Sequence, residues 1–252
     1  MQVIANDLVV SYTKVGTGPV AVLLHGWADS QHTFDQLSLL LQKNYTVVTL
    51  DLAGFGSSQA PQKGWGLTDF AKHIQVALQK IAIMPNDITL LIGHSNGGAV
   101  AIRAINKGYL SPKKLVLLAS AGIREGSVKK SAIQGATKVA KVASYVLPTS
   151  TRNKLRDRLY RSVDSDFLVA EHMQASFKKI IKDDVQADAE RIVIPTCIIY
   201  GELDAATPVR YAQLFHSLIA NSQLHVIQGA DHFVHQQYAD QVYDYIRGFD
   251  KL

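Results

Sequence analysis

Short apolar runs and longer amphipathic segments alternate along most of the chain. The apolar runs are rich in Val, Ile and Leu and have the length of buried strands. Because parallel strands need a connection long enough to hold a helix, this alternation predicts an α/β fold, with a mostly parallel sheet and helices on both faces. The predicted strands are residues 20–26, 45–51, 88–94, 114–120, 196–202 and 224–230.

Between these runs, apolar residues recur at the spacing of an amphipathic helix. In the segment 68–83, for example, Phe70, Ile74 and Ile81 fall on one stripe. Residues 3–15 alternate instead, which predicts one or two antiparallel strands at the edge of the sheet. The predicted helices are residues 31–42, 68–83, 97–108, 208–219 and 234–248.

The alternation of strand and helix stops between about Arg124 and Glu190, where the sequence becomes helical and charged. We therefore expect an α/β core made of residues 1–123 and 191–252, with a helical lid inserted at 124–190. The predicted helices of this lid are residues 129–147, 151–161 and 164–182.

Charge is unevenly distributed within the predicted lid. Residues 124–161 contain ten Lys or Arg against two acidic residues, whereas residues 162–190 contain seven acidic residues against three lysines. We interpret these as two solvated faces that attract each other. The alternative is a basic surface that steers anionic substrates, or that contacts an acidic partner or a lipid surface.

Composition narrows the class of protein. A chain of 252 residues with 47% hydrophobic and 19% charged residues fits one compact unit with an insertion. Its start lacks the basic and apolar regions of a signal peptide, and no apolar run approaches the roughly 18 residues of a membrane span, so a cytoplasmic protein is expected. Cys197 lies in an apolar run and is predicted to be buried. The net charge of +5 does not indicate nucleic-acid binding.

The sequence GHSNGG at 93–98 lies directly between a predicted strand and a predicted helix. In that context G-x-S-x-G forms a sharp turn that exposes the serine hydroxyl at a helix N-terminus, where the backbone favours developing negative charge. Ser95 is therefore the predicted nucleophile. The alternative is a glycine-rich turn in which Ser95 only caps the helix.

A serine hydroxyl needs a general base, and the base needs an orienting acid. Asp204 follows the predicted strand 196–202, and His232 follows the predicted strand 224–230. With Ser95 they occur in the order Ser, Asp, His, and all three fall at carboxyl ends of parallel strands, where open α/β sheets build their sites. We predict that these three residues form a catalytic triad.

Other histidines and carboxylates compete for these roles. His235 is three residues from His232 and is the main rival as the base. Asp231 is expected to cap a local turn, and Glu125 offers another acid after the strand 114–120. His216 and His225 lie within predicted elements and are interpreted as structural.

Acyl transfer produces an oxyanion that two backbone N–H groups commonly stabilise. Asn96, which follows the nucleophile, is the first predicted donor, and Trp27, after the strand 20–26, is the second. Gly26 allows the backbone and the substrate to approach closely, and His25 is expected to hold the loop rather than to transfer a proton. We assign His25 and Gly26 to the substrate-binding loop; the alternative for His25 is an ordinary turn residue.

The motifs LLHGW, DLAGFGSS, GHSNGG, GELDAATP and GADHF occur in this order along the chain. Together they resemble the α/β-hydrolase superfamily. The resemblance implies a mostly parallel eight-stranded sheet with an antiparallel second strand, and a helical lid after the sixth strand. The chain looks like the small lidded esterases and like hydrolases that cleave carbon–carbon bonds in ring-cleavage products.

Two departures bear on this choice. Ser95 stands where haloalkane dehalogenases and epoxide hydrolases have an aspartate, so the chain does not resemble them there. The loop HGWADS lacks the glycine-proline-glycine that ring-cleavage hydrolases often carry, which makes that alternative less favoured.

The hypothesis from the sequence is a serine hydrolase that cleaves a small carboxylic ester through an acyl-enzyme. The alternatives are a carbon–carbon bond hydrolase that acts on a diketo acid and a ligand-binding signalling protein that retains a slow triad. No cluster of His, Cys or carboxylates suggests a metal site, so neither a metal nor a cofactor is expected. The expected partner is a small acyl substrate, and the oligomeric state, monomer or homodimer, is left open.

Overall fold

The structure is a computed structural model that describes residues 1–124 and 171–250. Its centre is an eight-stranded sheet with the order β1-β2-β4-β3-β5-β6-β7-β8. Strand β2 pairs antiparallel with β1 and β4, and the remaining neighbours pair parallel. The strands are β1 (Gln2–Ala5), β2 (Leu8–Val15), β3 (Val20–Leu24), β4 (Thr46–Leu50), β5 (Ile88–His94), β6 (Lys114–Leu118), β7 (Thr196–Gly201) and β8 (Ser222–Ile227).

The predicted α/β class, the parallel strands and the antiparallel edge at 3–15 are confirmed. The described helices are α1 (Asp35–Leu41), α2 (Leu67–Lys80), α3 (Asn96–Asn106), α4 (Gln174–Ile180), α5 (Gln186–Ala189), α6 (Val209–Leu218), α7 (Val234–Gln237) and α8 (Ala239–Asp250). Short 3-10 helices cover Gln31–Phe34, Pro85–Asp87 and Glu171–Met173.

One predicted helix, 234–248, is two helices in the structure. Tyr238 lies between α7 and α8 with φ −132° and ψ 43°, which is outside the helical region. The apolar spacing continues across this break, so it did not reveal the interruption. The short α7 therefore directly follows the loop that carries His232.

Helices cover both faces of the sheet because strand side chains point alternately to opposite faces. In β3, Val22 and Leu24 belong to one apolar cluster, whereas Ala21 and Leu23 belong to the other. The first cluster includes side chains of α2, α3 and α6, and the second includes side chains of α1 and α8. Cys197 on β7 is fully buried, and burial raises the pKa of its thiol to about 12.

Most of the predicted lid, residues 125–170, lies outside the described residues. Residues 171–190 begin with a 3-10 helix and contain α4 and α5. They are held over the carboxyl edge of the sheet by hydrogen bonds to loops that follow its strands. Val185 N–H donates to the carbonyl oxygen of Gly122, which follows β6, over 2.9 Å, and His172 Nε2 lies 2.7 Å from that of Gly54, which follows β4.

Across the described residues, no helix combines the length and the apolar composition needed to cross a bilayer.

Candidate active site

Three strands carry the predicted triad to one edge of the sheet. Ser95 follows β5, Asp204 follows β7 and His232 follows β8, so all three lie at carboxyl ends of parallel strands. The structure brings His232 and Asp204 into direct contact, with 2.8 Å between Nδ1 and Oδ2. His94, the residue before Ser95, contacts the backbone of His232, which places the nucleophile turn beside the pair.

The turn at Ser95 holds its backbone in an unusual conformation, with φ 50° and ψ −119°. A residue other than glycine at positive φ is strained and needs support from its surroundings. That support comes from β6 and the chain after it: Ser95 N–H donates to the carbonyl oxygen of Leu118 over 3.0 Å, and the Ser95 carbonyl accepts from Ala121 N–H over 2.9 Å. The turn is thus fixed on both sides of the serine.

The glycines around Ser95 allow the close packing that the turn requires. A Cβ atom added at Gly93 would lie 2.6 Å from the Cα of Gly98. One added at Gly97 would collide with the carbonyl oxygen of Leu24 on β3. Side chains at these positions would push the helix α3 away from the sheet, so the pattern G-x-S-x-G has a steric cause in this chain.

Asp204 is a buried carboxylate with four hydrogen-bond donors around it. Its Oδ1 accepts from the N–H groups of Ala206, over 2.9 Å, and Thr207, over 2.8 Å. Its Oδ2 lies 2.7 Å from the Thr207 hydroxyl and 2.8 Å from Nδ1 of His232. Since a carboxylate only accepts, Nδ1 of His232 carries the hydrogen, and Nε2 is left as the acceptor that a general base needs.

Thr207 is a residue of this site that the sequence analysis missed. Its hydroxyl lies 2.7 Å from Oδ2 of Asp204, 3.0 Å from the carbonyl oxygen of Ala119 and 3.2 Å from Nδ1 of His232. The signal was present: an Asp whose side chain accepts from N–H groups two and three residues later is a common turn motif, and the run DAAT fits it. Thr207 fixes the carboxylate that orients His232.

The loop after β3 lies next to Ser95, the predicted nucleophile. A Cβ added at Gly26 would be 3.2 Å from the Cβ of Ser95. His25 is fully buried, its Nδ1 lies 2.7 Å from the Gly26 carbonyl oxygen, and its Nε2 accepts from Leu52 N–H over 2.8 Å. Burial lowers the pKa of His25, which favours this neutral form with both ring nitrogens in use.

Asn96 is the first residue of α3 and is only 4% exposed. The first N–H groups of a helix have no partner within the helix, so they are available to a negatively charged oxygen. The side-chain Nδ2 of Asn96 has no hydrogen-bond partner in the described part of the chain.

The side chain of Trp27 packs within an apolar wall, a point that the sequence left open. Its ring lies 4.8 Å from that of Phe55, after β4, and 5.3 Å from that of Phe177 on α4. Met173 is buried against Gly54 in the same region. Residues 171–190 therefore contribute directly to the surroundings of the predicted oxyanion loop.

The rival residues lie in other surroundings. His235 is fully buried, with Nε2 2.8 Å from the Thr33 hydroxyl, and burial lowers its pKa to about 3. Asp231 accepts from Phe233 N–H over 2.9 Å, as a local cap does. Neither has a described contact with Asp204 or Ser95, and Glu125 lies outside the described residues.

The histidines interpreted as structural have their described contacts away from the predicted triad. Nδ1 of His216 is 2.8 Å from the Ser222 hydroxyl, and the ring of His225 stacks on Tyr245 with 4.1 Å between centroids. Both contacts join a helix to β8.

Comparisons with known proteins agree with this architecture. A model of the alpha/beta hydrolase family matches residues 21–245. The chain is 26% identical to a serine hydrolase of Mus musculus, named BPHL, over 95% of this chain and 82% of that protein. An esterase from Rhodococcus sp. ECU1013 superposes with a TM-score of 0.74 at 21% identity, over 100% of this chain and 98% of that one. A meta-cleavage product hydrolase from Pseudomonas fluorescens IP01 also gives 0.74 at 21% identity, over 99% and 96%.

Proposed function

The chain belongs to the alpha/beta hydrolase family of enzymes, and we propose that it is a serine esterase that cleaves small carboxylic esters through an acyl-enzyme. The observation that carries the proposal is the 2.8 Å contact between Nδ1 of His232 and Oδ2 of Asp204, beside a serine at φ 50°. A base oriented by a buried acid, next to a strained and supported serine, is the arrangement that activates a hydroxyl for acyl transfer.

In the first step, Nε2 of His232 takes the hydroxyl proton of Ser95 while Oγ attacks the ester carbonyl carbon. Asp204 stabilises the resulting imidazolium and keeps its ring oriented. The carbonyl oxygen becomes an oxyanion, which the backbone N–H groups of Trp27 and Asn96 bind. The C–O bond then breaks, and His232 returns the proton to the departing alcohol.

In the second step, water attacks the acyl-enzyme. His232 takes a proton from this water, and a second oxyanion forms in the same place. Collapse of this intermediate breaks the bond to Oγ, the proton returns to Ser95, and a carboxylic acid leaves. The net reaction consumes one ester and one water and yields one acid and one alcohol.

We also propose that residues 124–190 form a lid over this site. The contacts of its described part support this, since Phe177 packs 5.3 Å from Trp27 and Met173 packs on Gly54. A substrate that binds between Ser95 and Trp27 would lie close to these apolar side chains. The lid would then select the acyl group by its shape.

Cleavage of a carbon–carbon bond is the rival activity, because a structural neighbour is named a meta-cleavage product hydrolase and the chain resembles hydrolases of ring-cleavage products. The loop HGWADS lacks the glycine-proline-glycine often found in such enzymes, which favours the ester. Turnover of a vinylogous diketo acid together with negligible ester hydrolysis would replace our proposal with this rival.

The test is hydrolysis of p-nitrophenyl esters of graded acyl length by the wild type, Ser95→Ala and His232→Ala. We expect each substitution to lower kcat by about 10⁴-fold or more, because triad residues act as a unit. Ser217→Ala and His216→Ala are matched controls, since they change the same residue types on the exposed side of α6, and both should retain wild-type rates.

Labelling with a fluorophosphonate gives a second readout that does not require the natural substrate. The probe phosphonylates an activated serine and releases fluoride, so it should label the wild type and not Ser95→Ala. Equal ester hydrolysis by all five proteins, or labelling of Ser95→Ala, would contradict the assignment of the nucleophile.

A further inference from the structure

His94 is a buried ring that packs against three other rings. It ends β5, directly before Ser95, and is only 1% exposed. Its ring centroid is 4.3 Å from that of His235, 4.8 Å from that of His232 and 5.5 Å from that of Phe233. The residue between the strand and the nucleophile therefore packs directly against the predicted base.

One hydrogen bond joins His94 to His232. Nε2 of His94 lies 3.0 Å from the backbone carbonyl oxygen of His232. Since a carbonyl only accepts, Nε2 carries the hydrogen and donates it. Nδ1 of His94 has no partner in the described part of the chain, and it lies against Gly26, where an added Cβ would be 3.2 Å away. The hydrogen bonding of this buried ring is thus directed to the backbone of the base.

This contact joins two residues whose strands are not neighbours in the sheet. The nucleophile follows β5 and the base follows β8, and β6 and β7 lie between them. Three strand spacings amount to about 14 Å. The loop after β8 must therefore bring His232 back over the edge of the sheet, and there His94, joined to Ser95 by a peptide bond, holds it through the hydrogen bond.

The ring that makes this connection is uncharged. Burial lowers the pKa of His94 well below its ordinary value, and the neighbouring His235 and His232 act in the same direction. A neutral ring here has a consequence for catalysis. When His232 takes up the proton of Ser95, it does not face a second positive charge from His94.

We propose that His94 is a positioning residue, whose Nε2–H holds the backbone of His232 so that the imidazole of the base stays within reach of the Ser95 hydroxyl. This inference rests on the proposed function, since it takes His232 as the base. It gives a role to the second position of the G-x-S-x-G pattern in this chain. Small displacements of a catalytic group have large effects, about 10²-fold for 1 Å.

The test compares His94→Phe with His94→Gln. Phe keeps a ring between His235 and His232 but removes the donor, whereas the Gln amide can donate from a position close to that of Nε2. We expect His94→Phe to lower kcat for a p-nitrophenyl ester by about 10- to 100-fold, with KM changed less than about twofold, because the base is misplaced and not the substrate. His94→Gln should recover most of the loss.

His235→Phe is the matched control. It removes a second fully buried histidine of the same ring group, but its described hydrogen bond is to Thr33 and not to the loop of the base. We expect this variant to change the midpoint of thermal unfolding and to leave kcat within about threefold of the wild type. If His94→Phe and His235→Phe lower kcat equally, or if His94→Gln does not recover activity, the positioning role is wrong.

A crystal structure of His94→Phe separates failure of this inference from failure of the proposed function. If the wild type hydrolyses no ester and is not labelled by a fluorophosphonate, the proposed function fails. The inference is then judged on the coordinates alone. A shift of the His232 ring away from Ser95 supports it, and an unchanged His232 with its 2.8 Å contact to Asp204 overturns it.

Discussion

The imidazole of His25 donates a hydrogen bond to the carbonyl oxygen of Gly26, the next residue along the chain, over 2.7 Å. This carbonyl and the N–H of Trp27 belong to the same planar trans peptide, so they point in opposite directions. The hydrogen bond that holds this carbonyl therefore also fixes the direction of the Trp27 N–H, which we assign as a donor to the oxyanion. Leu52 N–H holds the other side of the imidazole over 2.8 Å, which joins the loops after β3 and β4.

From this relationship we predict that His25→Ala lowers kcat while KM changes little. Complete loss of one oxyanion-hole donor lowers kcat by about 10²- to 10³-fold. Since His25→Ala would only misdirect the Trp27 donor, we expect a smaller decrease in kcat, about 10- to 100-fold. Steady-state kinetics on a p-nitrophenyl ester measure the effect, with His216→Ala as the control for removal of a histidine. A His25→Ala variant with wild-type kcat would show that the peptide between Gly26 and Trp27 keeps its orientation without the hydrogen bond from His25.

Thr207→Val tests whether the Thr207 hydroxyl holds the carboxylate of Asp204 in place. Valine keeps the shape and the backbone N–H that donates to Oδ1 of Asp204, and it removes the hydroxyl 2.7 Å from Oδ2. We expect the free energy of unfolding to fall by about 1–2 kcal/mol, since one buried hydrogen bond is lost. We expect kcat to fall by about 3- to 10-fold, because a less restrained carboxylate orients His232 less well.

Thr207→Ser is the matched variant, since it restores the hydroxyl. Urea denaturation and ester hydrolysis should both return towards wild-type values. If Thr207→Ser behaves like Thr207→Val, the methyl group and not the hydroxyl is the part that matters.

The sheet could be predicted, and the three residues of the triad could be proposed, because their signals in the sequence are local. Most of the parallel strands are short apolar runs, and Ser95, Asp204 and His232 lie one, three and five residues after the ends of β5, β7 and β8. The contacts that hold these residues join positions far apart in the chain, and no local sequence pattern reveals them. The hydrogen bond from His94 to His232 joins residues that are 138 positions apart. The break at Tyr238 was missed for a related reason, since apolar periodicity does not report backbone angles.

The buried ring of His73 should make the folded protein less stable in mild acid. Its ring is buried on α2 beside Trp65, and neither nitrogen has a hydrogen-bond partner in the described part of the chain. Burial lowers its pKa from 6.5 to about 4. The unfolded chain therefore binds a proton at a higher pH than the folded chain does. Stability should fall as the pH drops below 6.5 and should stop falling, for this group, near pH 4.

His73→Leu removes this group and should flatten that part of the pH profile. The difference between wild type and variant should grow from pH 7.5 to pH 4.5 and reach about 2–3 kcal/mol in favour of the variant. Urea denaturation at several pH values measures it. His216→Leu, at an exposed position on α6, is the control and should follow the wild type. Parallel profiles for wild type and His73→Leu would mean that His73 is not the group that titrates.

Arg103 and Asp188 join α3, the helix that follows Ser95, to the described part of the predicted lid. Nε of Arg103 on α3 lies 2.7 Å from Oδ2 of Asp188 on α5, and both side chains are largely buried, with exposed fractions of 14% and 12%. Asn106 donates to the other carboxylate oxygen, and the guanidinium also donates to the Asp184 carbonyl oxygen over 2.9 Å. Neither charge is left without a partner.

Asp188→Asn should therefore destabilise the protein strongly, because it leaves the buried guanidinium without its counter-charge. Loss of one partner of a buried ion pair lowers the free energy of unfolding by about 3–5 kcal/mol. The double variant Arg103→Met/Asp188→Leu should recover part of this lost stability, since no buried charge then remains. The exposed pair of Arg247 and Asp244 is the control: Arg247→Ala should change stability by less than about 1 kcal/mol. Chemical denaturation measures all three, and a loss in Asp188→Asn no greater than that in Arg247→Ala would show that α3 and α5 do not depend on this ion pair.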